Sequence, residues 1–387
     1  MRHALLSPSK SYMWLNCTPS ARLSEKYERR SNEASDEGKL AHQLSELLIK
    51  VALNRVTKVE YAKQNLKIKA NRHYTASMLE HCSQFASYVM EQFNAMKEKH
   101  RHAAIFLEVK LDLTRFIPEG FGTGDVVILA GNEILVIDLK YGKGVFVHTE
   151  ENTQMMIYAI GAIEAFSSLT DVKKVRMTIY QPRLDNIDTW ETSYKSLMDW
   201  ANSVLRKQAA IAFKGKGQLV AGTHCQFCPV KATCKANAAY NQSLAKGEFD
   251  ETSEPTELND KELVELYLRA KQIRSWLTAI EDHMLEKAIT GKTWKGLKLV
   301  HGRSVRQISD PKKVEAILKR MKLPEKQYLS EPQLLGITAL EANIGAQLFA
   351  KMAGKFVVKP VGKPSLVHAD SKGQTYSGNN SAIEDFS

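Results

Sequence analysis

Apolar and polar positions along the chain predict an opening group of helices, a run of short strands, and a return to helices. Ser7-Pro8 reads as an N-cap with proline at the first helical position, opening a short helix that carries Trp14, Leu15 and Cys17 before Pro19 interrupts it. A second helix is expected from about Asp36, and a third from Tyr74 to His100. The third has Met78, Cys82, Phe85, Val89, Phe93 and Met96 as an apolar stripe at helical spacing. Residues 105–113 alternate as a strand does, and 125–130 with 134–140 form two more β-rich runs around Gly131-Asn132, so a three-stranded meander follows. Beyond it, 151–166 reads as a helix, 174–181 as a buried strand and 193–213 as a helix.

Between Glu248 and Glu262 the chain carries seven acids against one lysine and contains Pro255, the composition of a solvated linker. This divides the chain into a domain over 1–247, a linker over 248–259, a mainly helical region over 260–354 and a flexible tail over 355–387. Within the helical region, Asp260 to Thr290 predicts a long amphipathic helix, Trp294 to Val300 a short strand and Pro311 to Met321 a further helix. No internal repeat occurs.

The Gly131-Asn132 turn makes the meander informative, because a two-residue hairpin loop sets the register of its strands. Ala130 then faces Glu133, and counting outward sets Asp125 opposite Asp138 on one face. Like charges so placed are destabilising unless a cation neutralises them. Strand alternation puts Lys140 on the face of Asp138 and turns Leu139 away. Two acids and an ammonium so gathered suit magnesium or manganese and the cleavage of a phosphodiester. The apolar runs Val126 to Leu129 and Ile134 to Ile137 argue against a solvated hairpin end, since they imply burial on both faces. His42, with Glu46 one helical turn later, is a candidate ligand, and Gln154 with Tyr158 project from one side of the helix after the hairpin.

At 387 residues with 43% hydrophobic content the chain can bury a substantial core, and its net charge of +11 favours a polyanionic partner, nucleic acid first. No secretory leader pattern opens it and no run of eighteen apolar residues occurs, so a cytoplasmic location is expected. Cys225, Cys228 and Cys234 fall within ten residues, a metal or cluster spacing rather than a disulfide framework. Three thiolates leave a site incomplete. Cys17, at a helix end, is the better fourth ligand, His224 is the local alternative, and Cys82 belongs to the core stripe.

Together these motifs resemble the RecB-like branch of the PD-(D/E)XK nuclease superfamily over roughly Ser7 to Lys235, in particular the iron-sulfur exonucleases of CRISPR adaptation and the AddB nuclease domain. The residues carrying the resemblance are His42, Gly122 with Asp125, Asp138 with Lys140, Gln154 with Tyr158, and Cys17 with the cysteine trio. It implies an α/β, restriction-endonuclease-like core: a central mixed sheet flanked by helices, an iron-sulfur staple and a mainly helical C-terminal extension. It further implies a 4Fe-4S cluster on Cys17, Cys225, Cys228 and Cys234, with zinc as the lesser alternative. Mg or Mn would be held by His42, Asp125, Asp138 and Leu139, with Lys140, Gln154 and Tyr158 completing the catalytic set. The opening Ser-Pro-Ser and Trp-Leu-Asn-Cys segments also resemble a prophage-borne family, which implies exonucleolytic processing of phage or prophage DNA in a bacterial host cytoplasm. The alternative is a catalytically silent DNA-binding scaffold acting with a recombination partner. No Walker loop occurs, so any motor or recombinase is a separate protein.

Overall fold

The computed structural model describes residues 4–27, 33–246, 260–295 and 297. Helices α1 (Ser11–Asn16), α2 (Ser20–Ser24), α3 (Glu33–Ala52), α4 (Lys58–Lys69) and α5 (Ala76–Lys99) precede strands β1 (Ala104–Asp112), β2 (Phe121–Ala130) and β3 (Glu133–Leu139). Then come α6 (Thr153–Phe166), β4 (Lys174–Gln181), β5 (Asn186–Ser193), α7 (Tyr194–Trp200), α8 (Arg206–Phe213), α9 (Lys235–Lys246) and α10 (Asp260–Ile289). Side-chain oxygens of Thr57, Thr75, Asn152 and Ser193 cap the starts of α4, α5, α6 and α7, each accepting a backbone N–H of the first turn.

The five strands lie in sequence order in one mixed sheet, with β3 and β4 parallel and the other neighbours antiparallel. The α6 crossover makes the parallel pair possible. On one face, Val127, Leu129, Ile134 and Val136 pack with α6, and on the other Val126, Ile128, Leu135 and Ile137 pack with α5. The sheet centre is therefore buried on both sides, as its unbroken apolar runs imply. A mixed sheet flanked by helices matches the expected α/β class.

Several elements differ from the sequence reading. Strand β5 and helix α4 were not anticipated, and β2 begins at Phe121, since its glycine-rich start pairs with β1 instead of looping. The expected helix over 193–213 is α7 and α8 joined by a π-helical turn at Ala201–Leu205. The linker at 248–259, the helix at 311–321 and the tail at 355–387 lie outside the described residues. Of the expected strand at 294–300, residues 294, 295 and 297 are described, and none is in a strand.

Two compact units divide between Glu281 and Asp282, within α10. In the first, Lys231 Nζ donates to Ser275 Oγ at 3.1 Å and Lys271 Nζ to the Gly144 carbonyl at 3.5 Å. In the second, the Trp294 indole N–H donates to the Met284 carbonyl at 3.1 Å.

Candidate metal centre

The hairpin register runs from Ala130↔Glu133 to Val126↔Ile137, and the next pair in the same count is Asp125 with Asp138. There the ladder stops. Instead of a backbone partner, the Leu139 N–H donates to Asp125 Oδ2 at 2.8 Å. A carboxylate thus takes a bond the sheet would otherwise make, and β2 parts from β3.

The same step is irregular in β1. Leu107 pairs with Val126 and Val109 with Gly124, while Glu108 and Asp125 between them are unpaired and Glu108 sits at φ +48°. Both strands exchange faces at this point. Ile105 and Leu107 pack on the α5 side, whereas Val109, Leu111 and Leu113 pack on the α6 side. On β2, Val126 and Ile128 face α5, yet a Cβ at Gly124 would touch Leu111 at 3.5 Å and Val127 at 3.8 Å on the α6 side. Holding a glutamate in the left-handed region costs on the order of 1–3 kcal/mol. It takes two acids out of the ladder side by side.

Helix α3 brings His42 to these acids, with Nδ1 at 3.2 Å from Asp125 Oδ1. His42, Glu108 and Asp125 offer ligand atoms all within 4.8 Å of one another. Octahedral oxygen and nitrogen ligands around a hard divalent ion at ~2.1 Å stand ~3 Å apart when adjacent and ~4.2 Å when opposite. The trio's 4.8 Å limit lies a little beyond that span, and its donor chemistry suits such an ion. Glu46 does not join it, because its carboxylate pairs with Lys50 at 2.6 Å.

Asp138, 3% exposed, stands beside the trio rather than within it. Its Oδ2 is 2.9 Å from Lys140 Nζ, which also donates to Gln154 Oε1 at 2.9 Å. Gln154 Nε2 donates to Asp138 Oδ1 at 3.3 Å and to the Tyr158 hydroxyl at 3.1 Å. The paired residues on α6 and the Asp-Leu-Lys end of β3 therefore form one network. Leu139 packs its side chain on the α5 side and gives its N–H to Asp125.

The electrostatics follow from burying three acids beside a histidine and a lysine. Burial works to lower the His42 pKa, but the charge and hydrogen bond of Asp125, with Asp138 and Glu108 adding, raise it to about 9. Burial, then the Asp125 charge, pushes Glu108 up to about 7 against the opposing charge of His42. Asp125 is held below the usual carboxylate range: burial works against this, and His42, the Leu139 N–H and Lys140 outweigh it. Asp138 lies above that range through burial, with Lys140 opposing and Asp125 adding. Burial, reinforced by Asp138 and Asp125, also raises Tyr158. Near neutral pH, protons on His42 and in part on Glu108 balance charge that a bound cation could balance instead.

Glu108 escaped the sequence reading. Its signal was a single acid inside the apolar run Ile105-Phe-Leu-Glu-Val, but the long 113–120 connection leaves the β1–β2 register undetermined from sequence.

The cysteines gather elsewhere. Tyr12 on α1 hydrogen-bonds Thr223 at 2.7 Å and meets the His224 ring edge-on at 6.1 Å, while Tyr27 reaches Thr233 at 3.2 Å. Cys17 is hydrogen-bonded with His224, whose pKa this bond raises. Burial lifts the Cys228 thiol to about 11, with the Cys225, Cys17 and Cys234 thiols adding. Cys17 thus lies with the trio. Among the described residues, no three cysteine sulfurs come within 4.8 Å of one another as the His42 group does, so the thiols as placed are not a preset zinc tetrahedron, whose sulfurs stand ~3.8 Å apart. Cys82 instead is buried between α3 and α5, its thiol donating to the Ala41 carbonyl at 3.5 Å.

Fold and site define a mixed-sheet α/β protein with a half-buried histidine–carboxylate–lysine centre where two central strands part. The chain belongs to the family described as "Protein of unknown function (DUF2800)", whose model matches residues 3–374. A solved structure titled "Crystal structure of SSO0001" is 13% identical, the match covering 57% of this chain and 95% of that one at a TM-score of 0.22, too low for the likeness to carry an argument. No helix among the described residues is long and apolar enough to cross a membrane.

Proposed function

We propose that this chain is a divalent-metal-dependent deoxyribonuclease of the RecB-like PD-(D/E)XK type, an exonuclease acting in phage or prophage DNA recombination or processing. The observation that carries the reading is the convergence of His42, Glu108 and Asp125 within 4.8 Å beside the Asp138–Lys140 ion pair. Magnesium or manganese bound there would polarise a phosphate and lower the pKa of a water. His42, Glu108 and Asp125 would supply the donors, with Asp138 beside them paired to Lys140.

Lys140 is the residue placed to act on the phosphate. An ion pair with Asp138 and a hydrogen bond to Gln154, each at 2.9 Å, hold its ammonium, so it reaches a substrate oxygen or attacking water in a set orientation. Tyr158 holds Gln154 in turn. The water's oxygen bonds to phosphorus as the phosphodiester's leaving oxygen departs and takes up a proton, and the ammonium neutralises charge on the phosphate meanwhile. The net charge of +11 suits a polyanionic substrate.

A 4Fe-4S cluster on Cys17, Cys225, Cys228 and Cys234 is the second part of the proposal. Its support is that the N-terminal segment carrying Cys17 and the 223–234 segment are already joined by the Tyr12 and Tyr27 hydroxyls. Such a cluster would hold these segments together and take no part in hydrolysis.

The test is release of product from end-labelled single- and double-stranded DNA with manganese, using anaerobically purified protein. Lys140→Met and Asp138→Asn should each lower turnover by about 100-fold or more. Unchanged cleavage in either variant would defeat the assignment. Salt-dependent DNA affinity without turnover in the parent chain would show a scaffold instead.

A further inference from the structure

The residues at the centre come from α3, β1, β2, the end of β3 and α6. His42 arrives on α3, while Asp138 and Lys140 sit at the end of β3, and the bonds between these parts at the centre are made by the very groups that would rearrange around a cation. Something outside the centre has to keep α3 and the β3 end in register. Tyr141 packs in one apolar cluster with Leu40, Ala41, Leu44 and Leu47 of α3, and Arg183 adds a polar tie between the two.

Arg183 lies in the short 3₁₀ turn Pro182–Leu184 between β4 and β5. Its Nη1 donates to Glu37 Oε2 at 2.7 Å, and Glu37 precedes His42 on α3 by about one and a half turns. The same nitrogen reaches the carbonyl of Tyr141 at 3.4 Å, and the guanidinium lies 4.8 Å from the centre of the Tyr141 ring. Tyr141 directly follows Lys140, whose own N–H is held by the Tyr180 carbonyl at 2.9 Å. A second contact steadies the clasp, for the Tyr141 hydroxyl is 3.3 Å from His81 Nδ1 on α5. The Arg183 side chain is 11% exposed and that of Glu37 28%, so the pair is only partly enclosed and acts by orienting its two ends.

We infer that Arg183, through Glu37 and Tyr141, is a positioning residue that sets the distance between His42 and the Asp138–Lys140 pair, and so the affinity of the centre for a divalent cation. The inference rests on the metal-centre reading above. The guanidinium hydrogen-bonds through Nη1 while its carbon lies over the Tyr141 ring, a pair of contacts that a lysine ammonium reproduces only in part. Arg183 touches neither substrate nor cation. Its contribution is of the outer kind that costs 10- to 100-fold in metal affinity when removed.

The experiment measures manganese binding to the full chain directly, by calorimetry and by the electron paramagnetic resonance of free ion, alongside thermal stability and DNA cleavage. Arg183→Met should weaken manganese binding at least tenfold, Arg183→Lys should recover only part of it, and Glu37→Gln should act in the same direction. Arg183→Met placed on Glu37→Gln should add little further loss, since the two residues act as one unit. Should Arg183→Met misfold, Glu37→Gln alone carries the test. Manganese affinity unchanged in the folded variants, or losses that add in full, would overturn the inference. A parent chain that binds manganese without cutting DNA would defeat the nuclease reading while leaving the Arg183 effect on binding to be judged on its own.

Discussion

Asp125→Asn isolates the charge that organises the centre. The asparagine carbonyl can still accept the Leu139 N–H, so the parting of β2 and β3 is kept while the negative charge is removed. In the parent, Asp125 is the foremost cause raising His42 from its ordinary 6.5 to about 9, working against burial. That rise is a factor of about 300 in proton affinity, or roughly 2–3 kcal/mol once allowance is made for solvent screening. With one third of the His42 side chain exposed, such screening is real, but burial still disfavours the charged ring. In the variant Asp138 and Glu108 act alone against burial, and the midpoint should fall to 6.5 or below. The assay is a proton NMR titration of the imidazole Cε1–H resonances in chelator-treated protein, with His42→Gln identifying the signal among eleven histidines. A parent midpoint below 7, or one above 8 in Asp125→Asn, would refute the electrostatic account of the centre.

Three further outcomes are expected. His42 has a folded pKa raised to about 9 and Glu108 one raised to about 7, so both contribute stability that is fully present below their unfolded values near 6.5 and 4.5 and is lost as pH rises through the folded ones. Chelator-treated protein should therefore show a falling urea midpoint between about pH 5 and 9, and a rise across that window would contradict it. Gly131→Ala should cost about 2 kcal/mol and several degrees of Tm in a calorimetric scan, because Gly131 has φ +56° and a Cβ there would meet the His100 ring at 2.6 Å. Finally, Cys228→Ser should strip iron from anaerobically purified protein and lower its Tm, whereas Cys82→Ser should leave the metal content unchanged on elemental analysis.

What sequence revealed and what it concealed divide along the range of the interactions. The hairpin register was legible because a two-residue turn propagates a count along both strands, and β4 was legible as a short apolar run with definite ends. Helix α4 was hidden because Ile68 is its one buried residue, so no apolar stripe marks it. Strand β5 does alternate, with Asn186 and Asp188 buried between exposed neighbours, but these first two inward positions are polar and escape a search for apolar period. Those inward groups hold the segment after Lys140: Asp188 accepts the Thr149 N–H at 2.8 Å, and Asn186 bonds Gln181 at 2.8 Å, which in turn accepts the Val147 N–H at 2.9 Å. Arg183 and Glu37 lie 146 positions apart, and no local pattern pairs them.

The face exchange at Glu108 and Asp125 shows why the centre sits where it does. In a regular strand, an acid between apolar neighbours must point into one core or the other, and either choice buries a charge without partners. When both strands turn over at one step, their two acids leave the ladder side by side. There Asp125 finds the Leu139 N–H and His42, and Lys140 stands close enough to hold its pKa down. The left-handed Glu108 and the ladder's early end are therefore one feature seen on two strands. That feature buries acids beside one another, and burial first, with the Asp125 charge adding, raises the pKa values of Glu108 and Asp138. A divalent cation is the simplest ligand able to offset that crowding of acids, which is why the metal-binding reading follows from the backbone as much as from the side chains.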